Sequence, residues 1–300
     1  MKTPPIAGWS ALIDQASGLL QRLEAVLPVA RAQTDWTARA YRWRRQADAG
    51  HLQAVSHFAD IACADLQNID EQLRTVAQNT LQFVRGLPAN NVLLTGARGT
   101  GKSSLVRAML HRFAEQGLRL VEVEKTDLTD LPAIVDLLAG RPERFIVFSD
   151  DLSFEPGDPG YKVLKSTLDG SLASTGPNVL VYATSNRRHL MPEFMADNLQ
   201  AKHLDTGEIH PGEAIEEKIS LSERFGLWVS FFPFTQDEYL RAVRHWLWAL
   251  CDEPADGGDA LLAQARAAAL RFTLERGSRS GRVAQQFSRH WVGRMKSAQP

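Results

Sequence analysis

Three hundred residues, 44% hydrophobic and 23% charged, suffice for a large buried core and two domains. A net charge of −1 excludes a global electrostatic drive toward nucleic acid or an anionic membrane. The only cysteines, Cys63 and Cys251, sit in apolar, helix-like contexts, which argues against a disulfide framework or zinc site and for a reducing compartment.

The opening stretch MKTPPIAGWS makes a poor secretory leader, and no apolar run reaches the roughly 18 residues of a membrane span. A cytoplasmic protein without membrane association is expected. Residues 9–85 read as helical: Leu12, Leu19, Leu20, Leu23 and Val26 recur at helical spacing, and RAQTDWTARAYRWRRQ, HLQAVSHFADIACADL and DEQLRTVAQNTLQFVRG follow as further helices. Gly86 and Pro88 break that pattern. From Asn91 short β-type runs alternate with helical stretches: 92–95, 119–123, 144–149, 178–184 and 227–232. Several are apolar on consecutive residues, as strands buried on both faces of a parallel sheet must be. After Phe234 the strands stop. Thr235 and Glu238 form a capping box, Asp259 can cap the next helix, Gly277 can end it, and Ser280 can cap the last. The expected organisation is a helical region over 1–57, an α/β core over 58–234 and a small helical unit over 235–300.

The stretch GARGTGKSS, Gly96 to Ser104, carries the chemistry. Gly96, Gly101, Lys102 and Ser103 fit G-x-x-x-x-G-K-[ST], with a strand before and a helix after. Glycines let the backbone of Gly96, Ala97, Arg98, Gly99, Thr100 and Gly101 wrap an anion with its N–H groups inward. The helix N-terminus that includes Ser104 adds a positive dipole end. Lys102 reaches the β- and γ-phosphates of ATP, and the Ser103 hydroxyl helps hold Mg2+. The end of RFIVFSDD supplies two carboxylates: Asp150 for the metal and Asp151 to polarise an attacking water. Glu155, four residues on, reads as an ordinary loop acid. Ser185 and Asn186 end NVLVYATSN, where a polar side chain can hydrogen-bond the γ-phosphate or the water.

Strand–GARGTGKS, strand–DD, strand–TSN, an arginine before the fifth strand and a helical lid together resemble the AAA+ ATPases over roughly residues 58–296. More narrowly, GLPANNVLLTGARGTGKSSL, FSDDLSFEPGD, YATSNRRHL and LSERFGLWVSFFPF look like a bacterial AAA+ family filed as a domain of unknown function. The resemblance implies a five-stranded parallel sheet in the order 5-1-4-3-2, a nucleotide between core and lid, and assembly into homo-oligomers. It also implies roles: Asn186 as a sensor of the γ-phosphate, Arg224 as a finger reaching a neighbouring subunit's nucleotide, Arg282 as the lid sensor with Arg279 as its alternative, and Ile69 packing on the base. The pattern usually has glutamate where this chain has Asp151. The shorter acid bears on the rate of hydrolysis, not on binding. Asn68 takes a place where glycine is common, and asparagine tolerates left-handed backbone.

Two basic patches remain. Arg31, Arg39, Arg42, Arg44 and Arg45 lie among Trp36, Tyr41 and Trp43, and Arg289, Arg294 and Lys296 lie on the last helix. Basic residues interleaved with aromatics can bind single-stranded nucleic acid, but a helix that packs its aromatics and solvates its arginines is the favoured reading. The segment 188–218 is longer than a typical loop and reads as a cover over the nucleotide or a partner. The functional expectation is an ATPase that couples Mg-ATP hydrolysis to a movement on a protein partner whose identity the sequence leaves open. A slowly hydrolysing switch or adaptor, and a nucleic-acid loader, are the alternatives.

Overall fold

The structure is a computed structural model. It describes residues 15–18, 34–46, 49–58, 61–155, 157–169, 176–187, 190, 202–203, 209–210, 221–251 and 257–298. Of the helix expected over the first 30 residues only 15–18 are described, and they are helical; the remainder, and nearly all of the segment 188–218, lie outside the described residues.

The central sheet has seven strands: β1 (Ala40–Gln46), β2 (Ala49–Ala54), β3 (Val92–Gly96), β4 (Leu118–Glu122), β5 (Arg144–Ser149), β6 (Val179–Ser185) and β9 (Leu227–Phe231). They lie in the order β2-β1-β4-β5-β6-β3-β9, parallel throughout except for the β1–β2 pair. Two short strands, β7 (Lys202–His203) and β8 (Ile209–His210), form a separate antiparallel pair. Helices α1 (Asp70–Val84), α2 (Lys102–Phe113), α3 (Leu131–Leu138) and α4 (Pro159–Leu168) belong to the core, and α5 (Gln236–Cys251), α6 (Gly257–Arg276) and α7 (Gly281–Ser297) form the lid.

Alternation along the inner strands builds two hydrophobic layers. Leu93, Phe145, Val147, Val181 and Ala183 face α3 and α4. Val92, Leu94, Ile146, Phe148, Leu180 and Tyr182 face α1 and α2. Both faces are therefore covered, which explains the continuous apolar runs in the sequence. A third cluster, centred on Tyr239, Leu247 and Phe287, holds the lid together. Its helices start largely as the sequence requires. The Thr235 N–H donates to Glu238 Oε2 at 2.8 Å, and Ser280 Oγ accepts from the Val283 N–H at 3.3 Å. Asp259 differs: it lies inside the first turn of α6 and pairs with Arg244 at 2.7 Å.

The main correction concerns residues 40–54. They are not helical, and the sheet is not limited to five strands. YRWRRQ and GHLQA form a hairpin that joins the sheet beside β4, so the sheet takes in residues well before position 58. The physical reason is a period of two. Tyr41 and Trp43 are buried in the layer shared with α3, while Arg42 and Arg44 point the other way. The Trp43 ring lies over Gly50, where an added Cβ would meet it at 1.8 Å. The arginines form a ladder with acids of the neighbouring chain segments: Arg42 with Glu122 at 2.7 Å, Arg44 with Glu124 at 3.2 Å, Arg45 with Asp130 at 3.5 Å, and Arg39 with Glu115. Arg141 stacks over Trp36 at 3.6 Å. The segment that resembles a nucleic-acid patch in sequence thus directs its charge at the chain's own carboxylates.

Because Trp43 is buried and donates from Nε1 to Asp130 at 3.0 Å, Trp43→Ala should cost about 3–5 kcal/mol in equilibrium denaturation. A loss below about 1 kcal/mol would mean that the hairpin is not part of the core.

Candidate functional site

The site lies at the carboxyl edge of β3, β5 and β6, the edge where open α/β sheets bind ligands. The chain leaves β3 through Gly96, turns through a loop and enters α2 at Lys102. Gly96, Gly99 and Gly101 have φ of +127°, +78° and +106°, a region that side chains with a Cβ rarely enter. At Gly96 space forbids a substitution as well, because a Cβ would meet the Phe231 carbonyl oxygen at 1.9 Å. Thr100 Oγ1 braces the turn by donating to the Ala97 carbonyl at 2.8 Å.

Lys102 is buried, 6% exposed, and its ammonium donates to Gly96 O at 2.7 Å, Ala97 O at 2.8 Å and Asn186 Oδ1 at 3.0 Å. Asn186 stands just past β6 and also donates from Nδ2 to Asp151 Oδ1. Ser103 Oγ donates to Asp150 Oδ1 at 2.6 Å, and Arg98 lies 3.9 Å from Asp151. Loop, carboxylate pair and Asn186 therefore form one connected network. Burial pushes the Lys102 ammonium down to about 8; Asp150 and Asp151 oppose that shift, and Arg282 and Arg98 add to it.

This network opens into a cleft of about 800 Å³. Residues 98–104, Ile69, Asp150, Asp151, Asn186 and Arg282 all line it. Ile69 stands beside the loop, its Cδ1 3.4 Å from where a Cβ on Gly101 would lie. Asn68 has the left-handed φ of 63° expected of it, and it ties the core to the lid by donating to Glu238 O at 2.8 Å and accepting from Arg241 at 3.0 Å. Arg282 closes the far wall, its N–H donating to Gly99 O at 3.1 Å. Its alternative, Arg279, does not line the cleft. Neither do Glu155, which lies 3.9 Å from Arg187, and Ser185, which donates to Leu152 O at 2.7 Å. Arg224 lies outside the cleft too, with its Nε donating to Asp169 at the end of α4.

Sequence reasoning missed several lining residues: Arg107, Thr184, Trp246, Gln285 and Arg289. A signal existed for two of them. Arg282, Gln285 and Arg289 stand at i, i+3 and i+7, one face of α7. Arg289 reads in sequence as surface charge beside Arg294 and Lys296, yet it faces the cleft.

The backbone at Asp151 bears on the missing glutamate. Its φ is +55°, a left-handed conformation that aspartate and asparagine enter far more readily than glutamate. An aspartate thus suits the turn, whatever its reach.

A Gly-rich loop between a buried parallel strand and a helix, an asparagine past the adjacent strand and two carboxylates past the one beyond it, under a helical lid, define an α/β protein of P-loop architecture. The chain belongs to the family described as "Protein of unknown function (DUF815)", whose model matches residues 36–295. No curated protein matches it. Among solved structures, a point mutant of Thermotoga maritima RuvB is 15% identical, covers 77% of this chain and 64% of its own, and has a TM-score of 0.47. The RuvB Holliday junction branch migration motor of the same organism is 14% identical, covering 75% and 70%, with a TM-score of 0.40. C. elegans PCH-2 is 16% identical, covering 63% and 50%, with a TM-score of 0.41. The chain thus spans under two thirds of the first of these proteins, and all three are distant likenesses. Among the described residues no helix is long and apolar enough to cross a membrane.

The lysine and the left-handed aspartate each make a measurable difference. A lysine attracts phosphate only when charged, and Lys102 loses its proton as pH rises through about 8, so ATP affinity in a fluorescence titration should fall about tenfold between pH 7 and 9. Asp151→Glu should lower thermal stability by about 1 kcal/mol, because glutamate pays more to enter left-handed backbone, and should not raise turnover. A Glu variant that is both as stable and faster would show that reach is the limit.

Proposed function

We propose that the protein is an ATPase that binds Mg-ATP between core and lid and couples its hydrolysis to a movement of the lid. One observation carries the reading: Ser103, Asp150, Asp151, Asn186 and Lys102 form a hydrogen-bond network around a loop whose glycines have the backbone an anion cradle requires.

The donor set fits the ligand. A hydroxyl and a carboxylate oxygen 2.6 Å apart are hard ligands of the kind Mg2+ takes, and the ion usually completes its shell with phosphate and water. When bound, the ion neutralises charge on the β- and γ-phosphates. Lys102 exchanges its carbonyl partners for phosphate oxygens. Asp151 orients the attacking water, Asn186 bridges Lys102 and Asp151 so that both respond to the γ-phosphate, and Arg282 brings the lid to the same group. Ile69 and its neighbours supply the apolar wall that a base requires. Arg224 acts in a neighbouring copy's site, which fits its place outside this chain's own cleft and makes the working form a homo-oligomer. Cytoplasm remains the proposed location, and the partner moved is a protein.

A slowly hydrolysing switch is the second reading. What favours it is Asp151 itself, held by Asn186 and standing 3.9 Å from Arg98. The loader reading is weakened by the arginine–carboxylate ladder on the hairpin.

Titration with a fluorescent ATP analogue and a phosphate-release assay test the proposal together. Lys102→Ala should lose tight binding while the fold persists, and wild-type affinity in that variant would remove the phosphate-loop assignment. Asp151→Asn should bind and not turn over. Arg224→Ala should cut turnover by about 10³-fold or more, with little effect on binding. Mixing it with Lys102→Ala should restore some rate, since one interface then pairs an intact loop with an intact finger. Full turnover in monomeric Arg224→Ala protein would rule out the role in trans. Binding with a single-turnover rate that stays slow in the assembled protein would favour the switch.

A further inference from the structure

We propose that the Thr184 hydroxyl is the positioning group that sets both carboxylates of the site, holding Asp150 in the orientation that receives the metal and fixing the turn that presents Asp151. This rests on the Mg-ATP reading above and assigns a residue that the phosphate-loop motif does not include.

Thr184 lies near the end of β6, 1% exposed, yet its hydroxyl lies at the wall of the cleft. Oγ1 donates to Asp150 Oδ1 at 2.5 Å and accepts from the Asp151 N–H at 2.9 Å. The geometry fixes the direction of the chain. A hydroxyl has one proton, the Asp151 N–H can only donate, and the carboxylate can only accept. The order is therefore N–H to hydroxyl to carboxylate, each bond polarising the next. The main chain of the same residue adds a third tie, because Thr184 O accepts from the Leu152 N–H at 2.7 Å. One threonine thus spans three consecutive residues at the end of β5.

Two features make this more than packing. Asp150 Oδ1 takes both available hydroxyls, Ser103 at 2.6 Å and Thr184 at 2.5 Å, which turns the other oxygen away from both donors. Ser103 belongs to the first turn of α2, just past the phosphate loop, whereas Thr184 belongs to a strand buried along its whole length. The strand supplies the fixed reference. Asp151 meanwhile has a φ of +55°, a conformation that persists only where its surroundings hold it, and the bond from its N–H to Thr184 is one such restraint. Groups of this kind orient metal ligands, and their removal typically lowers metal affinity about 10- to 100-fold.

The test compares Thr184→Val, which keeps the shape and removes the hydroxyl, with Thr184→Ser, which keeps the hydroxyl. In the full chain, a fluorescent ATP analogue is titrated with and without Mg2+, and Mn2+ binding to the ATP-loaded protein is followed by its EPR signal. Thr184→Val should keep metal-free nucleotide affinity within about twofold and lose about tenfold in metal affinity, while Thr184→Ser should stay near wild type in both. A purely structural role would move both affinities together and would not be rescued by serine. If Thr184→Val does not fold, Thr184→Ala against Thr184→Ser gives the same comparison. Wild-type metal affinity in the folded Val or Ala variant, or a serine variant as impaired as they are, overturns the proposal and leaves the Mg-ATP reading intact. Wild-type protein that binds no nucleotide overturns both.

Discussion

A buried ammonium must be surrounded by oxygen, because desolvating the charge without partners would cost several kcal/mol. Lys102 meets this condition with two backbone carbonyls and one side-chain amide. The rest of the site follows from that requirement. The carbonyls of Gly96 and Ala97 reach the ammonium only if the chain turns tightly after β3, which demands glycine torsions and forbids a side chain against Phe231. The amide of Asn186 reaches it only if β6 lies beside β3, although 84 residues separate Lys102 and Asn186 in sequence. Parallel strands with crossover helices bring that pair together. Because β3 and β6 run parallel, both strands end on the same edge of the sheet.

The sheet also explains why the carboxylates are mutually arranged. β5 pairs with β6 along five residues, so the acids that leave β5 arrive beside Thr184 and Asn186. Neither acid stands more than two residues past its strand. The polar groups at this edge are therefore positioned by register.

Much of this was legible in the sequence, and the reason is locality. The glycines, Lys102, Ser103, Asp150, Asp151 and Asn186 each sit at the end of an apolar run, where strand, turn and chemistry are read from a short window. The hairpin at 40–54 was not legible in that way. Its aromatics and arginines fit an amphipathic helix as well as a strand, and the choice is made by partners far away: β4 for the backbone, Glu122, Glu124 and Asp130 for the arginines. Such exposed ion pairs contribute little to stability, so their effect is on where charge is displayed. A cluster in sequence is thereby dispersed as a field in space. Thr184 was hidden for the opposite reason. A threonine in a strand is explained by β propensity alone, and nothing local marks its hydroxyl as a link between two acids. Arg289 was hidden because an arginine on an exposed helix is ordinarily a solvated side chain; only its helical spacing from Arg282 separates it from the others.

The attachment of α7 has a mechanical side. The helix begins where Arg282 meets the Gly99 carbonyl, and a Cβ on Gly99 would strike Ser280, so loop and helix end touch with no slack between them. From that pivot α7 runs for 17 residues, about 25 Å. A tilt of about 10° at the phosphate loop carries the far end through about 4 Å, by the length of the helix alone. The lid's last helix thus has the proportions of a lever, with its near end at the loop and its far end, with Arg294 and Lys296, about 25 Å away.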